Sequence, residues 1–179
     1  MKSFLELAAA RQSDRVYEPG RVIEREVLGR ILEAGRLAPS ACNGQPWHFT
    51  VVTEPASLVE VGKATSSLGM NKFVKDASAL VLITLEPTNI TSKLGCGIKD
   101  KDFPMMDLGI ASAYITLAAE DEGVGSCILG WFDEKKIKEL VGIPQKKRLM
   151  LIISLGYNAK PKRRKIRKEF DKVVSFEKY

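Results

Sequence analysis

The sequence predicts an α+β fold in which helices flank a central β-sheet. Ala79–Leu85 is a continuous apolar run of strand length, which is typical of a strand buried on both faces. Residues 24–37 instead place apolar side chains at helical spacing and stop before Pro39. A third segment, residues 105–122, has the length of a helix and is apolar nearly all round. Helix and strand signals therefore occur together in one chain.

The remaining elements alternate in the same way. We predict further helices over residues 3–10, 56–68 and 134–141, and further strands over residues 49–53, 126–132, 150–155 and 173–176. Gly123 is expected to cap the end of the helix 105–122, and Asp133 is expected to be the N-cap of the helix 134–141. A length of 179 residues corresponds to a single domain, residues 1–179.

The helix 105–122 bears on assembly. A helix with apolar residues on every side must be buried on every side. One small sheet covers only one side, so the rest packs on another helix of the same chain or on a second subunit. The sequence leaves both arrangements open.

Composition indicates a globular protein in a reducing compartment. Hydrophobic residues make up 45% and charged residues 28% of the chain, near the globular averages. The three cysteines, Cys42, Cys96 and Cys127, are odd in number and lack a framework spacing, so we expect a cytoplasmic protein without a disulfide scaffold. The start of the chain carries Glu6 and does not read as a signal peptide. The longest apolar stretch, residues 108–119, is too short to span a bilayer, so no membrane partner is expected.

Positive charge is concentrated near the C-terminus. Residues 160–168 contain seven basic residues and no acidic one, whereas the whole chain has a net charge of +6. Such a run is a solvated face, a nucleic-acid contact or a phosphate site. It lacks the aromatic residues on which bases stack, so we expect no nucleic-acid partner. The solvated face and the phosphate site remain open on charge alone.

The loop between the helix 24–37 and the next strand is the most informative segment. It is bounded by Pro39 and Pro46, which restrict its backbone, and it presents Ser40, Asn43 and Gln45 within six positions. Closely spaced hydroxyl and amide groups on a rigid loop suit a planar polar ligand with several carbonyls and ring nitrogens. The alternative is an ordinary helix-to-strand connector whose polar side chains only cap and turn.

Four segments in the same order resemble the FMN-dependent nitroreductase family. The loop matches the pattern Pro-Ser-x-x-Asn-x-Gln-Pro-Trp, and an Arg-x-Ser-x-Arg pattern stands near the N-terminus. The other two are a glycine-containing strand segment and a Leu-Gly-Tyr sequence followed by the basic run. In this chain the four lie at residues 39–47, 11–15, 123–133 and 155–168. The resemblance covers nearly the whole chain.

The resemblance implies a fold and an assembly. It implies a nitroreductase-like fold with a mixed central sheet and a homodimer that binds FMN at the subunit interface. The long helices 105–122 would form much of that interface. Residues 160–179 would form a C-terminal arm whose strand, residues 173–176, is exchanged with the partner subunit and covers an open sheet edge.

The resemblance also implies site residues. Arg11 and Ser13 would contact the FMN phosphate and ribityl chain, and Arg15 the pyrimidine end of the ring. The loop would reach the same cofactor from the other subunit, the backbone beside Leu129 and Gly130 would face flavin N5, and Asn71 would touch the flavin. The full set of cofactor-binding candidates is Arg11, Ser13, Arg15, Pro39, Ser40, Asn43, Gln45, Asn71, Leu129, Gly130, Lys162 and Arg164.

Two positions in this set are less well defined by the pattern. Lys162 and Arg164 fit the spacing of the family's Lys-x-Arg phosphate pair, although Arg163 and Lys165 allow another register. Many family members have a Glu-Gly pair where this chain has Gly130-Trp131. The bulky Trp131 is therefore expected to line or narrow the substrate pocket.

The function implied by the resemblance is an NAD(P)H-dependent FMN oxidoreductase. Electrons would pass from NADH or NADPH through flavin N5 to a nitroaromatic, quinone or enone acceptor in a ping-pong cycle. Because the chemistry takes place at the flavin, no catalytic side chain is required, and the lone His48 with scattered cysteines predicts no metal site. The alternatives are a specialised flavin enzyme for flavin fragmentation or reductive dehalogenation, and a basic nucleic-acid-binding module.

Overall fold

The computed structural model describes residues 3–66, 69–87 and 101–179. Cys96 and the last two residues of the predicted helix 56–68 lie outside this part of the chain. The elements, numbered in chain order, are α1 (Phe4–Ala10), α2 (Arg25–Arg36), β1 (Trp47–Val52), α3 (Pro55–Thr65), β2 (Ala79–Leu85), α4 (Phe103–Asp121), β3 (Gly125–Leu129), α5 (Glu134–Val141) and β4 (Arg148–Gly156).

The helix boundaries follow local capping chemistry. The Ser3 hydroxyl accepts the backbone N–H of Glu6, and the Glu6 carboxylate accepts the backbone N–H of Ser3, so this capping box begins α1. Asp133 caps α5 as predicted, and its carboxylate accepts the backbone N–H of Lys136 at 3.0 Å. Gly123 follows α4 in the left-handed conformation with φ +71°. These are the ends that the sequence pattern predicts.

The four strands form one sheet in the order β1-β2-β4-β3, and every neighbouring pair is antiparallel. The α+β class is confirmed, but the expected mixed sheet is wrong for the described strands of a single chain. Parallel pairing among the described residues is confined to an isolated bridge between Ser13 and Ser126. The two edge strands are therefore β1 and β3.

The sheet carries a core on each face. Residues of β2 alternate between the two, with Leu80 and Leu82 in one cluster and Val81 and Ile83 in the other. The first cluster packs against α3 and α5, and the second against α2 and α4. All four residues have no exposed surface, as the apolar run predicts.

Two predicted strands end differently. The strand predicted over residues 126–132 pairs with β4 only as far as Leu129, opposite Ile152, and the chain then leaves the sheet. Residues 173–176 are not a strand in the single chain and follow a short 3-10 turn at Phe170–Lys172. A strand needs a partner strand, and the exchange with a second subunit that would provide one stays a prediction.

One face of α4 is exposed and apolar. Met106, Ile110 and Tyr114 follow one another at helical spacing and are 52%, 37% and 40% exposed. The opposite face, including Leu108 and Ile115, is buried against the sheet. The helix is thus not covered on every side within one chain. No helix in the described part of the chain combines the length and the apolar character needed to cross a membrane.

Candidate functional site

The N-terminal segment lies against the outer edge of the sheet at β3. The backbone N–H of Asp14 donates to the carbonyl of Ser126 at 2.9 Å, next to the Ser13–Ser126 bridge. Farther along the segment, the hydroxyl of the buried Tyr17 lies 2.9 Å from Ser154 Oγ on β4. Burial raises the pKa of Tyr17, so this phenol stays neutral and anchors the segment.

Two glycines make this close approach possible. A Cβ on Gly125 would lie 3.0 Å from a carboxylate oxygen of Asp14, and a Cβ on Gly156 would lie 2.8 Å from the ring of Tyr17. Larger residues at either strand position would push the N-terminal segment away from the sheet. Gly125 and Gly156, which belong to the patterns at residues 123–133 and 155–157, are therefore needed so that the N-terminal segment can pack against the sheet.

The basic C-terminal segment folds back onto the N-terminal segment. The backbone N–H of Arg163 donates to Gln12 Oε1 at 3.1 Å, and the Arg163 guanidinium donates to the carbonyl of Ser13 at 3.2 Å. Lys165 Nζ donates to the carbonyl of Ala8 at 2.7 Å. These bonds join residues that are about 150 positions apart in the chain.

A groove of about 430 Å³ lies between the two segments. Its lining residues are Arg11, Gln12, Ser13, Arg15, Arg163, Arg164, Lys165, Ile166 and Arg167. Six of them are basic and none is acidic, so the groove carries a concentrated positive charge. The described structure thus places a cluster of like charges around a concave surface.

Three guanidinium groups in the groove are available for a ligand. Among the described residues, no hydrogen bond or salt bridge engages the side chains of Arg11, Arg15 and Arg164. Partial burial, together with the nearby Arg11 and Arg167, lowers the pKa of Lys165. Positive charges that crowd one another in this way are stabilised by a bound anion.

The two members of the predicted Lys-x-Arg pair have different surroundings. The Lys162 ammonium group pairs with the carboxylate of Glu120 on α4 and also donates to the carbonyl of Ala10 at 3.2 Å. The Glu120 side chain is only 6% exposed, so Lys162 ties the basic segment to α4. Arg164 lines the groove and Lys162 is not among its lining residues. That the two together hold a phosphate stays a prediction.

The loop before β1 is held in a high-energy backbone conformation. Cys42, Asn43 and Gln45 have φ values of +51°, +51° and +45°, a region that costs non-glycine residues on the order of 1–3 kcal/mol each. The Ser40 hydroxyl accepts the backbone N–H of Gln45 at 3.0 Å, and the Gln45 amide donates to Asn43 Oδ1 at 3.2 Å. Such strain persists where surrounding contacts enforce it, and it is typical of ligand-binding loops.

Asp107 on α4 is a contributor to this loop that the sequence patterns did not identify. Both of its carboxylate oxygens lie 3.1 Å from the backbone nitrogen of Ala41 and accept its N–H. Asp107 is only 4% exposed. The carboxylate thus latches the strained loop to the central helix. An acidic residue inside the apolar 105–122 pattern was the available signal.

The other end of β3 carries the residues predicted to face the flavin ring. Leu129 is buried, whereas Gly130 is exposed and has open space where a Cβ would lie. Four residue-to-residue steps of extended chain lead from Ser126 to Gly130, roughly 13 Å at about 3.3 Å per step. The basic groove and Gly130 therefore lie along the same sheet edge at a separation that suits an elongated ligand.

Asn71 lies next to this end of β3. Its side-chain Nδ2 donates to the carbonyl of Trp131 at 2.9 Å and to the carbonyl of Thr65 at 3.2 Å. Its backbone has φ +54°, the left-handed region that asparagine tolerates. The half-exposed Trp131 follows Gly130 directly and faces outward at this position.

The single histidine lies elsewhere. His48 on β1 lines a cavity of about 260 Å³ together with Thr84, Glu86 and Lys147. The buried Thr84 hydroxyl has no hydrogen-bond partner within the described structure, and Lys147 Nζ pairs with Glu86 at 2.5 Å. The structure thus brings together the 11–15 segment, Arg164 and the β3 edge, while His48 lines a separate cavity on β1.

Comparison with known proteins gives a consistent picture. The nitroreductase family model matches residues 8–68 and 55–157. A protein from Archaeoglobus fulgidus with the provisional name NADH dehydrogenase/NAD(P)H nitroreductase is 35% identical over 161 residues, which are 88% of this chain and 86% of that protein. The oxygen-insensitive NADPH nitroreductase of Helicobacter acinonychis is 26% identical over an alignment of 201 residues, gaps included. The alignment covers 96% of this chain and 95% of that protein.

Solved structures agree. An FMN-dependent nitroreductase from Clostridium difficile R20291 superposes with a TM-score of 0.80 at 27% identity, over 98% of this chain and all of that one. A family protein from Streptococcus pneumoniae TIGR4, at 22% identity, has the same fold with a TM-score of 0.82.

Proposed function

Because this chain belongs to the nitroreductase family, we propose that it is an FMN-dependent oxidoreductase that takes electrons from NAD(P)H and passes them to an electron-poor small molecule. The alignments with these two relatives cover most of both chains. We also propose a reducing, cytoplasmic setting, on the odd cysteine count.

The basic groove is the observation that carries this proposal. A phosphomonoester is a dianion that forms short charge-assisted hydrogen bonds with guanidinium groups. Arg11 and Arg164 are unpaired at the groove among the described residues, and Ser13 adds a hydroxyl. The donor set therefore fits the phosphate end of FMN. We propose that these three residues hold it.

The chain's own residues would also orient the rest of the cofactor. Arg15 would place a positive charge beside the pyrimidine end of the ring, where negative charge accumulates on reduction. The backbone around Leu129 and Gly130 lies at the far end of the same edge and can present an N–H without a blocking side chain. When bound, FMN supplies the hydride chemistry of a ping-pong cycle with NAD(P)H and an acceptor.

The acceptor would stack where the protein leaves the flavin face open. Trp131 is half exposed beside Gly130, so we propose that its indole lines this space and favours flat, electron-poor molecules such as nitroaromatics, quinones or enones. The proposed reaction depends on how the reactants are positioned and how negative charge on the flavin is stabilised, so it does not require a side chain that delivers a proton.

A homodimer would complete the site. The exposed apolar stripe on α4 is a surface that a second copy can bury. The loop at residues 39–45 is latched to the same helix by Asp107, so it would be carried to the interface. We propose that Pro39, Ser40, Asn43 and Gln45 then contact the FMN that is held by the partner's groove. Exchange of the arm that contains residues 173–176 remains part of this proposal.

The basic segment does not fit a nucleic-acid surface. Lys162, Arg163 and Lys165 already donate to the chain's own carbonyls or pair with Glu120, so three of the seven basic side chains are engaged within the chain. A groove formed with Arg11 and Arg15 is a compact anion site, whereas a nucleic acid needs an extended basic track with stacking residues.

Anaerobic reduction tests the function directly. Protein reconstituted with FMN should lose its yellow colour on addition of NADH or NADPH, and the colour should return when a quinone or nitroaromatic is added. Protein that takes up no FMN, or whose bound FMN neither nucleotide reduces, would contradict the proposal.

A further inference from the structure

Asn71 is expected from the resemblance to touch the flavin, but both N–H donors of its side-chain amide are already used. A primary amide has two N–H donors. One donates to the carbonyl of Trp131 at 2.9 Å and the other reaches the carbonyl of Thr65 at 3.2 Å. These two carbonyls belong to segments that are far apart in sequence, the end of α3 and the chain after β3. The amide therefore joins them.

The backbone of Asn71 is shaped for this task. Its φ of +54° places the residue in the left-handed region, which asparagine accepts at lower cost than most residues. Its carbonyl accepts the N–H of Val74 at 3.0 Å and begins the 3-10 turn Lys72–Asp76. The side chain is thus presented from a turn whose position is set by the buried Val74.

Gly130 is held from both sides. On one side Leu129 is paired with Ile152 in the sheet. On the other side the carbonyl of Trp131 is held by Asn71. A Cβ on Gly130 would meet no atom of the described structure within 4 Å, so no neighbouring group crowds this position on its side-chain face. The hydrogen bond from Asn71 is therefore positioned to limit the movement of the Gly130 backbone.

We propose that Asn71 is a positioning residue, whose amide holds the main chain at Trp131 and thereby sets the Gly130 peptide and the Trp131 ring against the bound flavin. The effect on the flavin rests on the proposed function, but the hydrogen bonds from Asn71 are present without the cofactor. It assigns to Asn71 an indirect role in which neither N–H is given to the flavin.

Other anchors keep the fold intact when Asn71 is changed. The backbone N–H of Asp133 donates to the carbonyl of Ala64 at 2.9 Å, and Phe132 packs against the first core cluster. Replacement by glycine keeps the left-handed backbone at no steric cost while it removes the side chain. Asn71→Gly therefore tests the amide alone. Asn71→Asp keeps the size and removes both donors, and Lys72→Ala is the matched control on the same turn.

The first readout does not involve flavin. The chain has two tryptophans, so in a Trp47→Phe background Trp131 is the only one. We expect the fluorescence anisotropy of Trp131 in the apoprotein to fall in Asn71→Gly and Asn71→Asp and to stay unchanged in Lys72→Ala. Unchanged anisotropy in both Asn71 variants would overturn the inference.

The second readout uses the FMN-loaded protein with Trp47 restored. In Asn71→Gly and Asn71→Asp, loss of the hydrogen bond to the Trp131 carbonyl should slow flavin reoxidation by the acceptor about three- to tenfold. The affinity for FMN should stay within about twofold of the wild type. A large fall in FMN affinity with unchanged anisotropy would make Asn71 a direct flavin ligand instead. If no variant, including the wild type, binds FMN, the proposed function fails, and the apoprotein measurement still decides whether Asn71 holds the segment.

Discussion

At the scale of single residues, neighbouring basic side chains have different roles. Lys162 pairs with the buried Glu120 and ties the C-terminal segment to α4, whereas Arg164 lines the groove with no partner among the described residues. A buried carboxylate that loses a cationic partner is destabilised, while an arginine that lines an open groove contributes little to folding.

This difference predicts a split between stability and affinity. Lys162→Ala should lower the free energy of unfolding by about 1–2 kcal/mol, a discounted value because the lysine side chain is 42% exposed. Arg164→Ala and Arg11→Ala should leave stability nearly unchanged and weaken FMN binding roughly tenfold to a hundredfold, since each removes a charge-assisted hydrogen bond. Urea unfolding and FMN titration measure the two effects.

Lys168→Ala is the matched control, because this lysine belongs to the same basic run and is not a lining residue of the groove. It should change neither quantity. If Lys162→Ala also released FMN at unchanged stability, Lys162 would hold the phosphate together with Arg164, as the Lys-x-Arg spacing predicts. If Arg164→Ala had no effect on FMN binding, Arg164 would not be a phosphate ligand.

At the scale of elements, α4 connects the sheet, the strained loop and the exposed apolar stripe. Its buried face packs on the second core cluster, Asp107 latches the loop, and Met106, Ile110 and Tyr114 face outward. One helix thus positions the loop relative to the surface where a second copy is expected.

The latch predicts a graded loss of stability. Asp107→Ala removes the acceptor for the Ala41 N–H and should lower the free energy of unfolding by about 1–3 kcal/mol. Asp107→Asn keeps one amide oxygen as an acceptor and should lose less. Thermal and urea unfolding of both variants check the order, and equal losses would show that the hydrogen bond to Ala41 is not what the carboxylate contributes.

The exposed apolar stripe on α4 leads to a prediction about the dimer. Ile110→Glu places a charge in the centre of the apolar surface and should shift the proposed dimer to monomer in sedimentation velocity. FMN should be lost as well, because the proposed site takes residues from both chains. Glu139→Lys, an exposed charge change on α5, is the control and should leave the dimer intact. A wild-type protein that binds FMN as a monomer would contradict this arrangement.

At the scale of the whole molecule, local patterns predicted the elements well because capping and periodicity are local. The capping box at Ser3, the N-cap at Asp133 and the apolar run of β2 are all set by neighbouring residues. The pairing of Lys162 with Glu120 could not be predicted in this way, since it depends on how two segments 42 positions apart pack.

The same limit applies to the site. Sequence patterns identified the loop, the 11–15 segment and the basic run, but not the Asp107 latch or the donors of Asn71 that reach Thr65 and Trp131. Those contacts depend on backbone conformations, such as the positive φ of Asn71, which residue type permits but does not dictate.

The central claim is that the groove between the N-terminal and basic segments holds the phosphate of FMN. Parallel titrations of the apoprotein with FMN and with riboflavin test it most directly, with binding detected by the quenching of flavin fluorescence. We expect one FMN per chain and riboflavin binding that is roughly ten- to a hundredfold weaker, because riboflavin lacks the phosphate that Arg11 and Arg164 would bind. Equal affinity for the two flavins, or no binding of either, would contradict the claim.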